Sequence, residues 1–242
     1  MRGRDSAASA PTAAAIGDCV ILDKSGASPE YGWITAIPST TELTIGGGFS
    51  RGGSGGPARD YYVLDYGSTT GAQAVEITYL DGDFVEHREI VILNGQTTRD
   101  LVNVDTYRIN AFRMIAAGTG AKPAGYLSLR LAAAPNTIYS YITAGFTRAR
   151  NSAYTVPAGY QLYITEFTVS FGYAAAQTYF ARIYTRATQN DGFRTPNIFY
   201  PFTEVVLANS SQLVRLDMPT LIKEKVDIKI SGITVTTTGT AS

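Results

Sequence analysis

The central part of the chain alternates apolar and polar residues with a period of two, the pattern of β-strands that bury one face. Val75, Ile77 and Tyr79 fall on one face of the first clear segment, which ends at the sequence Asp-Gly-Asp of residues 81–83. An Asp-Gly pair between alternating segments favours a tight turn, because both residues tolerate positive φ. Residues 74–83 therefore predict a strand followed by a turn.

The next segment alternates in the same way and ends at Asn94-Gly95, a second strong turn signal. Ile90 and Ile92 share one face, and Val91 and Leu93 share the other. Similar segments recur every 8 to 15 residues or so, giving roughly ten to thirteen short strands without a long amphipathic helix. Residues 106–118 also fit one helical turn, although a strand is favoured. The spacing predicts an all-β sandwich or barrel.

The segment from residue 151 to 171, NSAYTVPAGYQLYITEFTVSF, predicts two strands around a sharp turn at Pro157-Ala158-Gly159. Proline fixes φ near −65° and glycine permits positive φ, so the backbone chemistry itself specifies the turn. We expect a β-hairpin here, with Tyr154 in its first strand and Leu162 and Ile164 in its second.

The N-terminal part divides by composition. Residues 1–15 are small and carry two arginines, and we expect a flexible arm rather than a secretory signal, because an apolar h-region is missing. Residues 16–59 predict a small β module that ends in a Gly-rich linker. Residues 60–242 predict one two-sheet sandwich. Trp33 is interpreted as a core or half-buried aromatic, with ligand stacking as the alternative.

The composition narrows the possible functions. Charged residues make up 17% of the chain and the formal net charge is zero, so a basic excess for nucleic acid or anionic membrane is missing. One cysteine, Cys19, excludes an intrachain disulfide, and one histidine, His87, disfavours a zinc site. The sequence has no apolar run long enough for a transmembrane helix.

The carboxylates and nucleophiles form no catalytic motif. Asp81 and Asp83 are interpreted as turn residues, and His87 as an exposed or interface side chain. Cys19 is interpreted as a small buried hydrophobe. A glycosidase would need two facing carboxylates, and sequence spacing alone cannot pair the candidates, which are Glu76, Glu89, Glu166 and Glu204. We predict no catalytic, cofactor or metal site.

Arginines that lie among aromatic residues are the strongest candidates for function. This composition is typical of protein–protein hot spots, although a platform for single-stranded nucleic acid or a solvated strand face remains an alternative. The candidate interface residues are Arg2, Arg4, Arg148, Arg150, Arg182, Tyr184, Arg186 and Arg194.

Three segments together resemble a family of tailed-bacteriophage virion proteins. They are TGAQAVEITYLDGDFVEHREIVILNGQT, YRINAFRMIAAGTGAKPAGYLSLR and SAYTVPAGYQLYITEFTVSF, which lie between residues 70 and 171, and the rest of the chain resembles the family more loosely. The first module, with GDCVILDK and YGWITAIPSTTELTI, is similar to small β modules near the start of phage structural proteins. The shared motifs are structural turns and carry no active site.

The resemblance implies a jelly-roll-like antiparallel sandwich that assembles as an oligomer on a virion. We expect a non-enzymatic capsid cement or decoration protein, a homotrimer on the capsid exterior that binds the major capsid protein and other virion proteins. The alternative is a tail, neck or fibre component that binds a receptor or glycan. We expect neither nucleic acid nor membrane as a partner.

Overall fold

The structure is a computed structural model of the 242-residue chain. The residues that the structure describes are 14–22, 29–39, 42–46, 61–64, 71–103, 105–170, 178–187, 198–208 and 211–235. Of these, only the backbone is described for 169–170, 178–187, 199–208, 211–212, 217 and 232–235.

Every regular element in the described residues is a β-strand, which confirms the predicted all-β class. In the described part, no helix is long and apolar enough to span a membrane. The first nine strands are β1 (Cys19–Leu22), β2 (Glu30–Ser39), β3 (Glu42–Gly46), β4 (Tyr61–Leu64), β5 (Ala72–Leu80), β6 (Glu86–Ile92), β7 (Arg108–Ala117), β8 (Leu127–Arg130) and β9 (Ile138–Ile142). The other six are β10 (Ala153–Thr155), β11 (Leu162–Ser170), β12 (Thr178–Ala187), β13 (Phe199–Ala208), β14 (Ser211–Ile222) and β15 (Val226–Val235).

The chain forms two compact units. The first comprises Met1–Tyr79 and His87–Arg150, and the second comprises Leu80–Glu86 and Asn151–Ser242. Strand β7 confirms the strand interpretation of residues 106–118.

The first unit contains three sheets among its described residues, with strand orders β3-β2-β1-β4, β6-β5-β7 and β8-β9. Strand β1 lies inside its sheet, and Cys19 is paired with Trp33 of β2 and Leu64 of β4. Strand β4 follows residue 59, where the sequence places the end of the first module, and pairs with β1 in the same sheet.

Strand β5 is buried on both faces, because the two-residue period points alternate side chains into two different cores. One core joins Ala74, Ile90 and Ile92 to Cys19 and Ile21 of β1. The other core joins residues of β5, β6, β7 and β9, which are Val75, Ile77, Tyr79, Val91, Phe112 and Ile142. The faces predicted for β5 and β6 are confirmed.

The second unit contains two antiparallel sheets among its described residues, with strand orders β10-β15-β12-β13 and β11-β14. Val156, Ile222 and Ile228 form its buried cluster, and Leu162 and Ile164 of β11 pack against them. Burial of these side chains removes apolar surface from water and stabilises the unit.

The hairpin predicted for residues 151–171 is wrong, although its turn is confirmed. Gly159 has φ of +78°, and Tyr160 N donates to Pro157 O at 3.3 Å. The flanking strands do not pair with each other, because β10 pairs with β15 and β11 pairs with β14. Past β10, Val156 N still donates to Val226 O at 3.1 Å, so the chain stays with β15 instead of folding back.

Candidate protein interface

A buried carboxylate lies at the centre of the β6-β5-β7 sheet. Glu76 is on β5, the middle strand, and its side chain is 4% exposed. Arg88 of β6 donates through Nε to Glu76 Oε2 at 2.6 Å, and its Nη2 binds the same oxygen. Arg113 of β7 donates through Nε to Oε1 at 2.7 Å, and its Nη2 is 2.7 Å from that oxygen. Each carboxylate oxygen therefore binds a different arginine.

The two guanidinium groups remain partly in solvent while they hold Glu76. The side chains of Arg88 and Arg113 are 40% and 50% exposed, respectively. Burial of a carboxylate is costly unless cations and hydrogen bonds compensate for its lost hydration. The Arg88 guanidinium also lies 5.7 Å from the centroid of the Tyr31 ring, within reach of a cation–π contact. The result is a fixed pair of cations at the protein surface.

A third arginine lies next to Arg113. Arg148 forms an isolated antiparallel bridge with Arg113. Met114 N donates to Thr147 O at 2.7 Å, and Ala149 N donates to Phe112 O at 2.9 Å. These bonds flank a non-hydrogen-bonded pair, in which directly opposite side chains share a face and lie close together. Arg113 and Arg148 are such a pair.

Arg148 is exposed, and its side chain makes no hydrogen bond or ion pair with another described residue. We use the name arginine row for Arg88, Arg113 and Arg148 together with the Glu76 carboxylate that anchors the first two. The row crosses the adjacent strands β6, β5 and β7 and the segment 147–149 beside β7.

Arg150 extends this surface. Its guanidinium carbon is 4.2 Å from the centroid of the Phe146 ring, a cation–π geometry. Ala149 packs against the core that contains Val75 and Ile77. Because side chains alternate along an extended segment, Arg148 and Arg150 point away from that core.

Exposed tyrosines lie in the same unit. Tyr139 and Tyr141 are 61% and 56% exposed and stand on the outer face of β9, whose inner positions Ser140 and Ile142 are buried. Tyr141 is paired with Ser128 of β8. Large amphipathic rings of this kind are enriched where proteins bind one another.

Trp33 is more exposed than a core residue. Its side chain is 45% exposed, and its ring meets Tyr31 edge-on at 5.6 Å between centroids. A pocket of about 180 Å³ is lined by Trp33 and by apolar residues that include Leu64 and Met114. Trp33 is therefore half-buried, in agreement with its first interpretation, and the exposed part of the indole leaves ligand stacking open as the alternative.

The structure brings together only part of the predicted interface set. Arg148 and Arg150 lie on one segment of the first unit. Arg182, Tyr184 and Arg186 lie on β12 of the second unit, where the backbone alone is described. The remaining candidates, Arg2, Arg4 and Arg194, are outside the described residues.

Sequence reasoning missed Arg88 and Arg113 and considered Glu76 only as a possible catalytic carboxylate. The available signal was Glu76 itself, a single acid inside the strand segment AVEITYL. A carboxylate in a strand that is otherwise apolar requires cations on neighbouring strands. The alternation of residues in this strand does not identify the partners of Glu76, because Arg88 and Arg113 lie 12 and 37 positions away in the sequence.

The other titratable candidates have structural contacts. Asp81 Oδ1 accepts hydrogen bonds from Asp83 N at 3.0 Å and Val85 N at 2.9 Å, which confirms its role in the turn. The His87 ring stacks on the ring of Tyr79, with 5.5 Å between the ring centroids. Cys19 is buried as predicted, and burial, with a smaller effect of Asp18, raises the pKa of its thiol to about 12.

The remaining carboxylates considered for hydrolysis are not brought together as a catalytic pair in what the structure describes. Glu89 Oε1 accepts a hydrogen bond from Val102 N at 2.8 Å, and Glu166 is 3.3 Å from Arg215 across β11 and β14. The Glu204 side chain is outside the described part. Among the described residues, no group of three His, Cys, Asp or Glu side chains is placed to hold a metal ion.

Comparison of the chain with protein-family models, with curated proteins and with solved structures finds no match in any of the three.

Proposed function

We propose that the protein is a non-enzymatic structural component of a bacteriophage virion, a cement or decoration protein that binds the outside of the head shell. The observation that carries this proposal is the arginine row, with the Tyr31 ring beside Arg88 and the Phe146 ring beside Arg150. Arg, Tyr and Trp are the residues that most often dominate protein–protein binding energy. The resemblance of residues 70–171 to virion proteins supplies the class of partner.

The low charge of the chain supports contact with protein. A formal net charge of zero gives little long-range attraction to nucleic acid or anionic membrane. It also gives little repulsion between copies of the chain. We propose that the protein acts as a homotrimer, that its partners are the major capsid protein and other virion proteins, and that residues 60–242 contain a jelly-roll-like antiparallel sandwich.

Co-sedimentation with head shells that lack the protein tests this function. The full chain is mixed with shells of the phage that encodes it, and bound protein and shell survival after heating are measured. We expect saturable binding and more shells intact after heating. Unsaturable binding, or shells that bind the protein and gain no heat resistance, would contradict the cement role.

A charge-reversal variant locates the contact on the protein. Arg148→Glu should reduce binding to shells, because it reverses an exposed charge without uncovering Glu76. Arg130→Glu is the matched control, since Arg130 is also exposed and lies on β8, in a different sheet. Equal losses for the two variants would show that overall charge, and not the arginine row, controls binding.

A second candidate function is glycan binding by a tail or fibre protein, which the exposed Trp33 beside its pocket favours. Sugar rings stack on indole faces through their apolar C–H surfaces. A glycan array probed with the assembled protein and with Trp33→Ala tests it. A hit that Trp33→Ala abolishes would support this function, and an array without hits would exclude it for the glycans present.

A further inference from the structure

We infer that the arginine row is a binding site for carboxylates, and that its ligand is an acidic segment of a partner protein. The identification of the partner as a protein rests on the proposed function. The chemistry of the site rests on the geometry of Glu76, Arg88, Arg113 and Arg148 alone.

The row has more positive than negative charge. The four side chains of the row, three guanidinium groups and one carboxylate, have two net positive charges together, while the whole chain has none. The carboxylate of the row, Glu76, is buried beneath two of the arginines and already binds both. An external anion would therefore meet cations rather than the carboxylate.

The position of Arg148 is unfavourable without a ligand. Like charges directly opposite on adjacent strands repel, and Arg148 has no described ion pair to offset its repulsion from Arg113. A carboxylate that accepts hydrogen bonds from both would replace this repulsion with two charge-assisted contacts. The arrangement is costly in the isolated chain and favourable in a complex.

Glu76 also prepares the site. Arg113 binds it through Nε and Nη2, and these two contacts fix the plane of a guanidinium that is still half exposed. Arg88 is fixed in the same way and lies over Tyr31. A planar fork that is already ordered loses less side-chain entropy when it binds a carboxylate.

Protein carboxylates fit the row better than nucleic-acid phosphates. A nucleic acid presents regularly spaced charges, and its binding depends on an extended basic surface. The balanced charge of the chain does not provide such an excess. Three clustered arginines with Tyr31 and Phe146 nearby suit a short acidic segment that carries one or two carboxylates.

Fluorescence anisotropy with defined probes tests the inference. The probes are a labelled octapeptide of alternating glutamate and glycine, the same peptide with glutamine in place of glutamate, and a labelled oligothymidylate of equal formal charge. At low ionic strength the full chain should bind the glutamate peptide best. Arg148→Gln should weaken this binding roughly tenfold, because the loss of one hydrogen bond between charged groups typically lowers an affinity by about that factor.

Arg130→Gln is the control for lost charge and should leave the affinity for the glutamate peptide unchanged. Thermal unfolding of Arg148→Gln should occur at the wild-type temperature or above it, because the substitution removes a repulsion. Weaker binding without lost stability distinguishes a recognition residue from a structural one. Arg148→Lys, which keeps the charge without the planar fork, should bind with intermediate affinity.

Several results would overturn the inference. They are failure of the glutamate peptide to bind, equal binding of the glutamine peptide, stronger binding of the oligothymidylate, and equal losses for Arg148→Gln and Arg130→Gln. These results are independent of the head-shell assay. Shell binding without peptide binding refutes only the carboxylate site, and peptide binding without shell binding refutes only the cement function.

Discussion

Removing both cations from Glu76 should destabilise the first unit far more than removing either one. The double variant Arg88→Met with Arg113→Met keeps an unbranched apolar stem at both positions but leaves the carboxylate of Glu76, which is 4% exposed, without a cation. Loss of the partners of a buried charge typically costs about 3 to 5 kcal/mol.

The single variants should cost less. Each leaves one arginine on one carboxylate oxygen, and hydrogen bonds to charged groups contribute about 1.5 to 3 kcal/mol. The loss for each single variant should be at the lower end of this range, because Arg88 and Arg113 are 40% and 50% exposed and water screens their interaction with Glu76. The triple variant that also changes Glu76→Met should recover stability to within about 1 kcal/mol of wild type, since well-packed apolar residues often replace buried ion pairs without loss.

Urea unfolding followed by tryptophan fluorescence measures these differences. The chain has one tryptophan, Trp33, and it lies in the first unit together with Glu76, Arg88 and Arg113, so the signal reports on that unit. A double variant within 1 kcal/mol or so of wild type would show that Glu76 does not depend on its cations. A triple variant no more stable than the double would show that packing, and not the unpaired charge, causes the loss.

Three further predictions concern single residues. Arg148→Gln should raise the free energy of unfolding by up to about 0.5 kcal/mol, because it removes the repulsion from Arg113, and a clear loss in urea unfolding would contradict their placement. The pKa of Cys19 is about 12 in the fold and near 9.0 when unfolded, so native protein should resist alkylation by iodoacetamide at pH 8. For the same reason, the stability that the protonated thiol contributes should be complete below pH 9 and should fall as the pH rises toward 12. Rapid alkylation of the folded protein would count against the burial of Cys19. Gly159→Ala should cost on the order of 1 kcal/mol, because its φ of +78° disfavours an L side chain although the Cβ meets no atom. Since Gly159 lies in the second unit, urea unfolding of this variant is followed by far-UV circular dichroism, and an unchanged midpoint would contradict that conformation.

Local patterns predicted those parts of the fold that depend on neighbouring residues. The two faces of β5 and β6 follow from alternation alone: Val75 shares a face with Ile77, and Ile90 shares a face with Ile92, as predicted. The structure adds that the two faces lie in separate cores. The turn at Asp81 also follows from local chemistry, because its side chain binds backbone N–H groups two and four residues ahead.

Pairing over long distances in the sequence was not predictable in the same way. The segment 151–171 contains a genuine turn, yet its strands pair with partners more than 50 residues away, at Ile228 for Tyr154 and at Ile222 for Leu162. A turn signal specifies the bend but not the partner of each strand, since nearby and distant partners offer equivalent backbone hydrogen bonds.

The arginine row shows the same limit for the candidate site. The aromatic residues around Arg148 predict an interface role from sequence alone, whereas the strand order is needed to place Arg88 and Arg113 beside Glu76. The opposition of Arg113 and Arg148 likewise depends on a bridge between residues 35 positions apart (148 − 113). Such clusters depend on sheet topology, which composition does not encode.

An electron cryo-microscopy map of the virion that resolves the side chains of this chain tests the proposed role most directly. We expect the chain on the outside of the head shell, with a carboxylate of a neighbouring protein within salt-bridge distance of Arg148 and Arg113. A chain located in the tail or fibre, or an arginine row that faces only solvent in the assembled particle, would contradict it.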